Sequence, residues 1–332
     1  MPLSFDYPLD ELKKYSGINP RPHDHKGYWV RALAEMHAVD PQVKRQPADF
    51  QAPFAKCSHL WFTGVGGERI HAKLLEPVEK SPEPRPAVLF FHGYTMNSGD
   101  WLDKLPYVAA GFTVAAMDCR GQGGLSQDFG SVTGNTLNGH IVRGLTDALA
   151  GRPEKLLFRQ IFLDTAQLAK IIMAMPSVDE KRVGVTGGSQ GGGLTVACTA
   201  LEPRIKLSAP VFPFLSDYQR VWEMDLAKGA YGELVDWFRR FDPQHKQEKA
   251  VFEQLGYIDI QQLAHLIQVK TKWFIGLSDT ICPPSTQFAT YNKILAEKSL
   301  EIYPDFGHEN LPEIGRASCR ERVKISVGAV SL

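Results

Sequence analysis

"VGVTGGSQGGGLTVACTAL", Val183 to Leu201, is the stretch whose reading decides the fold. It opens on a short β-branched run and closes on a run that suits a helix, with glycines crowded around Ser189 and Gln190 between them. Gly187-Gly188-Ser189-Gln190-Gly191 reads G-x-S-x-G between a predicted strand and a predicted helix, the context in which that pattern makes a nucleophile elbow. A turn this tight requires small residues two before and two after the serine, Gly187 and Gly191, because a side chain at either would strike the neighbouring strand or helix. The serine takes a strained conformation that lifts its hydroxyl off the sheet, and the helix N-terminus behind it favours negative charge there. The N–H of Gln190 is then aimed at an oxyanion beside Ser189. The rival reading is the glycine-rich turn of a nucleotide-binding protein. It lacks the Lys-Ser/Thr of a P-loop, and the turn follows the fourth or fifth strand rather than the first.

Outward from the elbow, strand-like runs come at 58–64, 69–76, 86–93, 112–118, 182–187, 205–210, 270–277 and 300–304, with helical patterns at 100–110, 158–175, 192–201 and 283–297. In the second helix, Ile161, Leu168, Ile171, Ile172 and Met175 mark one face at helical spacing. Strand–helix alternation demands crossovers. The expected class is therefore α/β: an α/β-hydrolase fold with a mostly parallel central sheet and helices on both faces. Residues 1–55 are rich in Pro, His and Asp, carry a short helical pattern near 27–38, and read as an N-terminal arm wrapping the domain. Residues 211–268 hold helical patterns and many aromatics but no convincing strand, and read as a helical insertion that caps the site or meets another subunit. Together these make one domain over 1–312. The run Glu313 to Val323 resembles a translated sequencing adapter and has no apolar stripe, so residues 313–332 are expected to be a non-native tail in place of a C-terminal helix.

A nucleophilic serine needs a base, and the base needs an orienting acid; in this fold class they follow in the order Ser, Asp or Glu, His. Asp279, in "FIGLSDTICPPS", and His308, in "YPDFGHEN", each lie just past a predicted strand, where open α/β sheets place their sites. Of the other histidines after Ser189, His245 and His265 fall in the insertion and read as surface residues. Asp305 is the rival acid but sits close to His308 as a turn residue, and Glu309 reads as solvated or as outer support. The second oxyanion donor is expected from the loop "FFHGYTMNSGDW", with Gly93 allowing close backbone approach and the N–H of Tyr94 as the candidate. His92, just before that turn, reads as a structural hydrogen-bonding residue. No metal or organic cofactor is required. The elbow does not name its acyl group, so peptidase, thioesterase and lactonase remain open here, as do a non-catalytic carbohydrate-binding relative and an inactive truncated one.

Lys+Arg and Asp+Glu each number 37, giving no electrostatic reason for a nucleic-acid or membrane partner. No apolar run approaches the ~18 residues of a membrane helix, and the N-terminus lacks the apolar core of a signal peptide. The five scattered cysteines fit reduced thiols in a cytoplasm better than a disulfide framework or a zinc site.

With "HGY" at 92–94, "RGQ" at 120–122, "GGSQGG" at 187–192, "GHE" at 307–309, and further likeness in "SDTICPPST" and "YPLDELKKYSGINPRP", the chain resembles the acetyl xylan esterase / cephalosporin-C deacetylase family from about residue 1 to about 312. "RGQ" together with "GGSQGG" is far more specific than G-x-S-x-G alone. The resemblance implies a cytoplasmic α/β hydrolase that removes acetyl groups from short acetylated xylo-oligosaccharides and from cephalosporins. It implies Ser189, Asp279 and His308 as triad, and Tyr94 and Gln190 at the oxyanion hole. Arg120 and Gln122 would brace the scaffold near the site. It also implies a homohexamer to which the insertion contributes.

Overall fold

The computed structural model describes residues 5–79, 81–128 and 140–312; the stretch read as a non-native tail, 313–332, lies outside them. The strands are β1 (Lys44–Pro47), β2 (Ala55–Thr63), β3 (Arg69–Pro77), β4 (Arg85–Phe91), β5 (Thr113–Met117), β6 (Val178–Gly188), β7 (Leu207–Val211), β8 (Thr271–Gly276) and β9 (Lys298–Tyr303). The helices are α1 (Leu9–Leu12), α2 (His25–Ala38), α3 (Leu105–Ala109), α4 (Leu145–Leu149), α5 (Leu157–Met173), α6 (Gln190–Leu201), α7 (Tyr218–Glu223), α8 (Gly232–Phe241), α9 (Glu248–Leu255) and α10 (Pro284–Lys293). All the strands join one sheet in the order β1-β2-β3-β5-β4-β6-β7-β8-β9. The first three pairings, out to β5, are antiparallel and the rest parallel.

This is the α/β-hydrolase arrangement expected from the sequence. The parallel strands β5 and β7 are buried at every residue, which follows from crossover helices covering both faces. Alternate residues divide between two cores. Ala87, Leu89, Val183 and Val185 face the larger one with α5 and α6, while Val88 and Val114 face the smaller one with Val108 of α3.

Two elements differ from the reading of the sequence. Residues 44–47, read within the arm, form β1: "KRQP" has no strand composition and is exposed throughout. It is held as an edge strand by pairing with Ser58–Trp61 of β2. Helix α5, read as having one apolar face, is buried nearly all round. The reason is α2, which covers its outer side: Trp29 stacks on Phe162 at 5.9 Å between ring centres and Glu35 pairs with Arg159 at 2.6 Å.

The N-terminal segment is tied to the helices between β7 and β8 through buried carboxylates. Asp217 accepts from the Tyr15 hydroxyl (2.8 Å) and from the N–H groups of Ile18 (3.1 Å) and Asn19 (2.8 Å), and its own N–H donates to Asp259 at 3.0 Å. Burial, and then the charge of Asp217, push the Asp259 carboxyl up to about 7. The folded protein therefore holds this proton more tightly than the unfolded chain, and the stability it lends is lost as pH climbs from the ordinary carboxyl range to about 7. Burial pushes His25 down to about 3 and His140 down to about 4, which acts in the opposite sense below the ordinary histidine value. The Asp259 contribution is isolated by difference. Denaturant melts at pH 5, 6 and 7 are expected to show the wild type losing stability relative to Asp259→Asn by about 1 kcal/mol per pH unit; parallel curves would contradict the assignment.

Candidate active site

The order of strands reverses at β4, which has β5 on one side and β6 on the other, so the loops after β4 and β6 leave in different directions and open a crevice between them. Phe91 lies opposite Gly187 across that pair. At the end of β6 the chain turns through Ser189, whose φ of 58° and ψ of −120° put a non-glycine residue in a strained conformation just before α6. The close approach demanded by the elbow is quantitative: a Cβ on Gly187 would sit 2.4 Å from the Phe91 carbonyl oxygen, and one on Gly191 2.0 Å from the same atom. The Ser189 N–H donates to the Val211 carbonyl at 3.0 Å and its carbonyl accepts from Gly193 and Phe214, fixing the turn against β7.

Asp279 and His308 arrive from the ends of β8 and β9. One oxygen of Asp279, Oδ1, accepts from the N–H groups of Ile281 (2.9 Å) and Cys282 (2.8 Å) in an Asx turn. The carboxylate is wholly buried and its Oδ2 lies 2.8 Å from His308 Nδ1. His308 Nε2 lies 3.0 Å from Ser189 Oγ. With Nδ1–H donated to Asp279, Nε2 is left to accept the serine proton. The three residues singled out in the sequence are thus joined in one hydrogen-bonded chain. Asp305 is exposed. Glu309 accepts from the Gly307 N–H at 3.0 Å and steadies the turn that carries His308. His245 pairs instead with Glu248 at 3.0 Å, and His265 is exposed.

The backbone N–H of Gln190 occupies the first position of α6 and has no partner within the helix. The N–H of Tyr94, across the crevice, has no acceptor among the described residues. The two loops are laced together by side-chain amides. Gln122 donates to Gln190 at 2.8 Å, Gln190 donates back at 3.0 Å, and the same Gln122 oxygen accepts from the Thr95 N–H at 3.0 Å. His92 accepts from the Cys119 N–H through Nε2 at 2.9 Å, so its proton sits on Nδ1, which donates to the Gly93 carbonyl at 2.8 Å. Burial pushes its pKa down, which keeps this neutral brace intact. Arg120 is spent away from the nucleophile: its guanidinium grips Asp164 of α5 through two bonds (2.6 and 2.7 Å) and Glu68 at 2.8 Å, all of them buried.

Several neighbours of the site escaped the sequence reading. Phe212 lays its ring 4.8 Å from that of His308. Phe214 and Tyr231 pack in series behind Tyr94, at 5.5 and 4.3 Å between ring centres. Glu233 of α8 accepts from the N–H groups of Ile141 (2.8 Å) and Val142 (3.4 Å), fixing the segment beside Tyr94; burial pushes its carboxyl up to about 7. Cys282 stands beside Ser189 and Asp279, its thiol pushed well up by burial and then by the Asp279 charge. The signal for Cys282 was readable, since an Asx turn at Asp279 folds the residue three places on back against it. Phe212 carried none, because its position follows from a positive φ of 30° just after β7.

The chain matches the acetyl xylan esterase (AXE1) family over residues 1–321. Its structure is similar to that of acetyl xylan esterase 1 from Thermoanaerobacterium sp. JW/SL YS485, with 55% identity and a TM-score of 0.93 over 97% of this chain and 99% of that one. It is also similar to the acetyl xylan esterase from Paenibacillus sp. R4, with 33% identity and a TM-score of 0.90 over 96% and 99% of the two chains. The acetyl esterase Axe7A of Xylanibacter ruminicola is 28% identical over 167 residues, which are 50% of this chain and 35% of that protein. The match thus spans about a third of that curated relative's length.

Proposed function

The chain belongs to the acetyl xylan esterase family and is an acetyl esterase, and from that premise we propose that Ser189 is its nucleophile, His308 its base and Asp279 the acid that orients the base. The observation that carries this is the unbroken run of hydrogen bonds from Asp279 Oδ2 through both nitrogens of His308 to Ser189 Oγ. Ser189 Oγ attacks the acetyl carbonyl as His308 Nε2 takes its proton, and buried Asp279 steadies the imidazolium. The N–H groups of Gln190 and Tyr94 receive the oxyanion, each worth on the order of 3 kcal/mol in comparable sites. His308 returns the proton to the departing sugar oxygen, leaving acetyl-Ser189. Water, deprotonated by the same nitrogen, then frees acetate.

The substrates we propose are acetylated xylo-oligosaccharides and 3-acetoxymethyl cephalosporins. That the two solved relatives are acetyl xylan esterases supports the first, and the family resemblance of "RGQ", "GGSQGG" and "GHE" supports the second. We also propose one catalytic domain over 1–312, with 1–55 as arm and 211–268 as insertion. The same resemblance supports a homohexamer, and the four cysteines among the described residues, all buried and free, support a cytoplasmic setting. Among the described residues no helix is long and apolar enough to cross a membrane.

Acetate release from both esters, followed with the full chain, tests the substrate assignment. Turnover of both is the expected result. Hydrolysis of long-chain or peptide substrates without acetate release from either ester would transfer the site to another acyl group.

A further inference from the structure

We propose that the active site doubles as an inhibitory site for a soft divalent cation of the Zn2+ type, built from Cys282, Asp279 and His308. A carboxylate oxygen of Asp279, the sulfur of Cys282 and one imidazole nitrogen of His308 all lie within 4.8 Å of one another. Thiolate, imidazole and carboxylate are the donor types zinc takes, and three protein ligands with an open fourth position form a recurrent zinc geometry. Zinc–ligand bonds of about 2.0–2.3 Å put tetrahedral donors about 3.5 Å apart. The group has therefore to contract by about 1 Å, which side-chain rotation of the partly exposed His308 supplies. The fourth position falls to water or to the Ser189 hydroxyl, itself 3.0 Å from His308 Nε2.

Cys282 is what makes this arrangement more than a triad. The esterase reaction gives its thiol no task, yet it is wholly buried beside Ser189 and Asp279. A cation reaches it by the route an ester takes, since Ser189 and His308 are both partly open to solvent. On binding, the metal sheds water, the Cys282 S–H bond breaks with its proton released to solvent, and a metal–sulfur bond forms without change of oxidation state. If the metal takes Nε2, it occupies the lone pair that would accept the serine proton; if it takes Nδ1, the ring proton moves to Nε2, which then has no lone pair to offer, so in either case acyl transfer stops.

Two readouts test the site. Zn2+ in a non-chelating buffer is expected to inhibit acetate release reversibly, with chelator restoring the rate. In Cys282→Ala, scaled to that variant's own uninhibited rate, the inhibitory concentration is expected to rise at least about 10- to 100-fold, the loss seen when even the outer support of a metal site is removed. The second readout needs no activity. Co2+ added to protein carrying Cys319→Ser, which removes a thiol outside the described residues, is expected to show tetrahedral visible bands and a thiolate-to-cobalt charge-transfer band. Both should persist when Ser189→Ala is added and vanish with Cys282→Ala. Should the Cys282 variant fail to fold, His308→Ala is expected to abolish the tetrahedral bands in its place. Equal Zn2+ sensitivity with and without the thiol, or cobalt that stays octahedral with no thiolate band, would overturn the proposal. Because the cobalt spectrum is read in a protein without its nucleophile, failure of this site is distinguishable from failure of the catalytic assignment.

Discussion

Ser189→Ala is expected to lower kcat for acetyl-ester hydrolysis by roughly 10⁴- to 10⁶-fold while leaving the fold intact. Alanine keeps the backbone of the elbow, including the Ser189 N–H bond to Val211 and the carbonyl bonds from Gly193 and Phe214. It removes only the oxygen that His308 faces at 3.0 Å. Without a nucleophile the base has no proton to take, and catalysis falls to what the two N–H donors and binding can supply. His308→Ala is expected to cost a similar factor, and the double variant little more, because groups acting as a unit lose their effect together. A variant melting like the wild type and retaining more than about 1% of its kcat would remove Ser189 from the proposed role.

The largest stability loss is expected at Arg120. Its guanidinium lies between Asp164 and Glu68, with all three side chains buried. Burial pushes the Asp164 carboxyl up, and the Arg120 charge and hydrogen bonds bring it only part of the way back. Arg120→Ala would strand two carboxylates away from water, and breaking a buried pair in this way costs about 3–5 kcal/mol. For a chain of 332 residues that is a fall in Tm of roughly 4–7 °C. Arg120→Lys keeps the charge but not the fork that grips Asp164 twice, and is expected to fall between. Arg120→Met with Asp164→Leu and Glu68→Gln is the sharper control: removing the charges together is expected to recover most of the loss. A single variant as stable as the wild type would mean that the ion cluster does not hold α5 to the turn between β2 and β3.

How much of this could be read without coordinates follows from which interactions are local. Strands β2 to β8 announce themselves because each buries side chains and carries apolar residues to do so, and β9 is legible from Leu300 and Ile302, half-buried against the main core. Lys44–Pro47 does not, since its place depends on backbone pairing with β2 and on nothing its own side chains do. The elbow was legible because the constraint on Gly187 and Gly191 comes from the turn itself. Asp279 and His308 were legible from chain order and strand ends. The burial of α5 on nearly every side was not, because the covering residues Trp29 and Glu35 come from a segment more than a hundred positions earlier. Glu233 was missed for the same reason, its partners Ile141 and Val142 lying about ninety positions earlier, and Phe212 because a positive φ just after β7 sets its place beside His308.

The ties of the N-terminal segment also fix an order of events during synthesis. Asn19 donates to Phe252, Trp29 to Tyr257, and Ile18 and Asn19 to Asp217, partners that lie 198 to 233 residues further along the chain. At translation rates of about 5–20 residues per second, this segment waits roughly 10–45 s for the residues that will bury it. Tyr28 and Trp29, almost wholly covered in the finished protein, spend that interval exposed. Residues 18–29 are thus among the last parts to settle, and their aromatic pair is where a nascent copy is open to a chaperone or to a neighbouring copy on the same message.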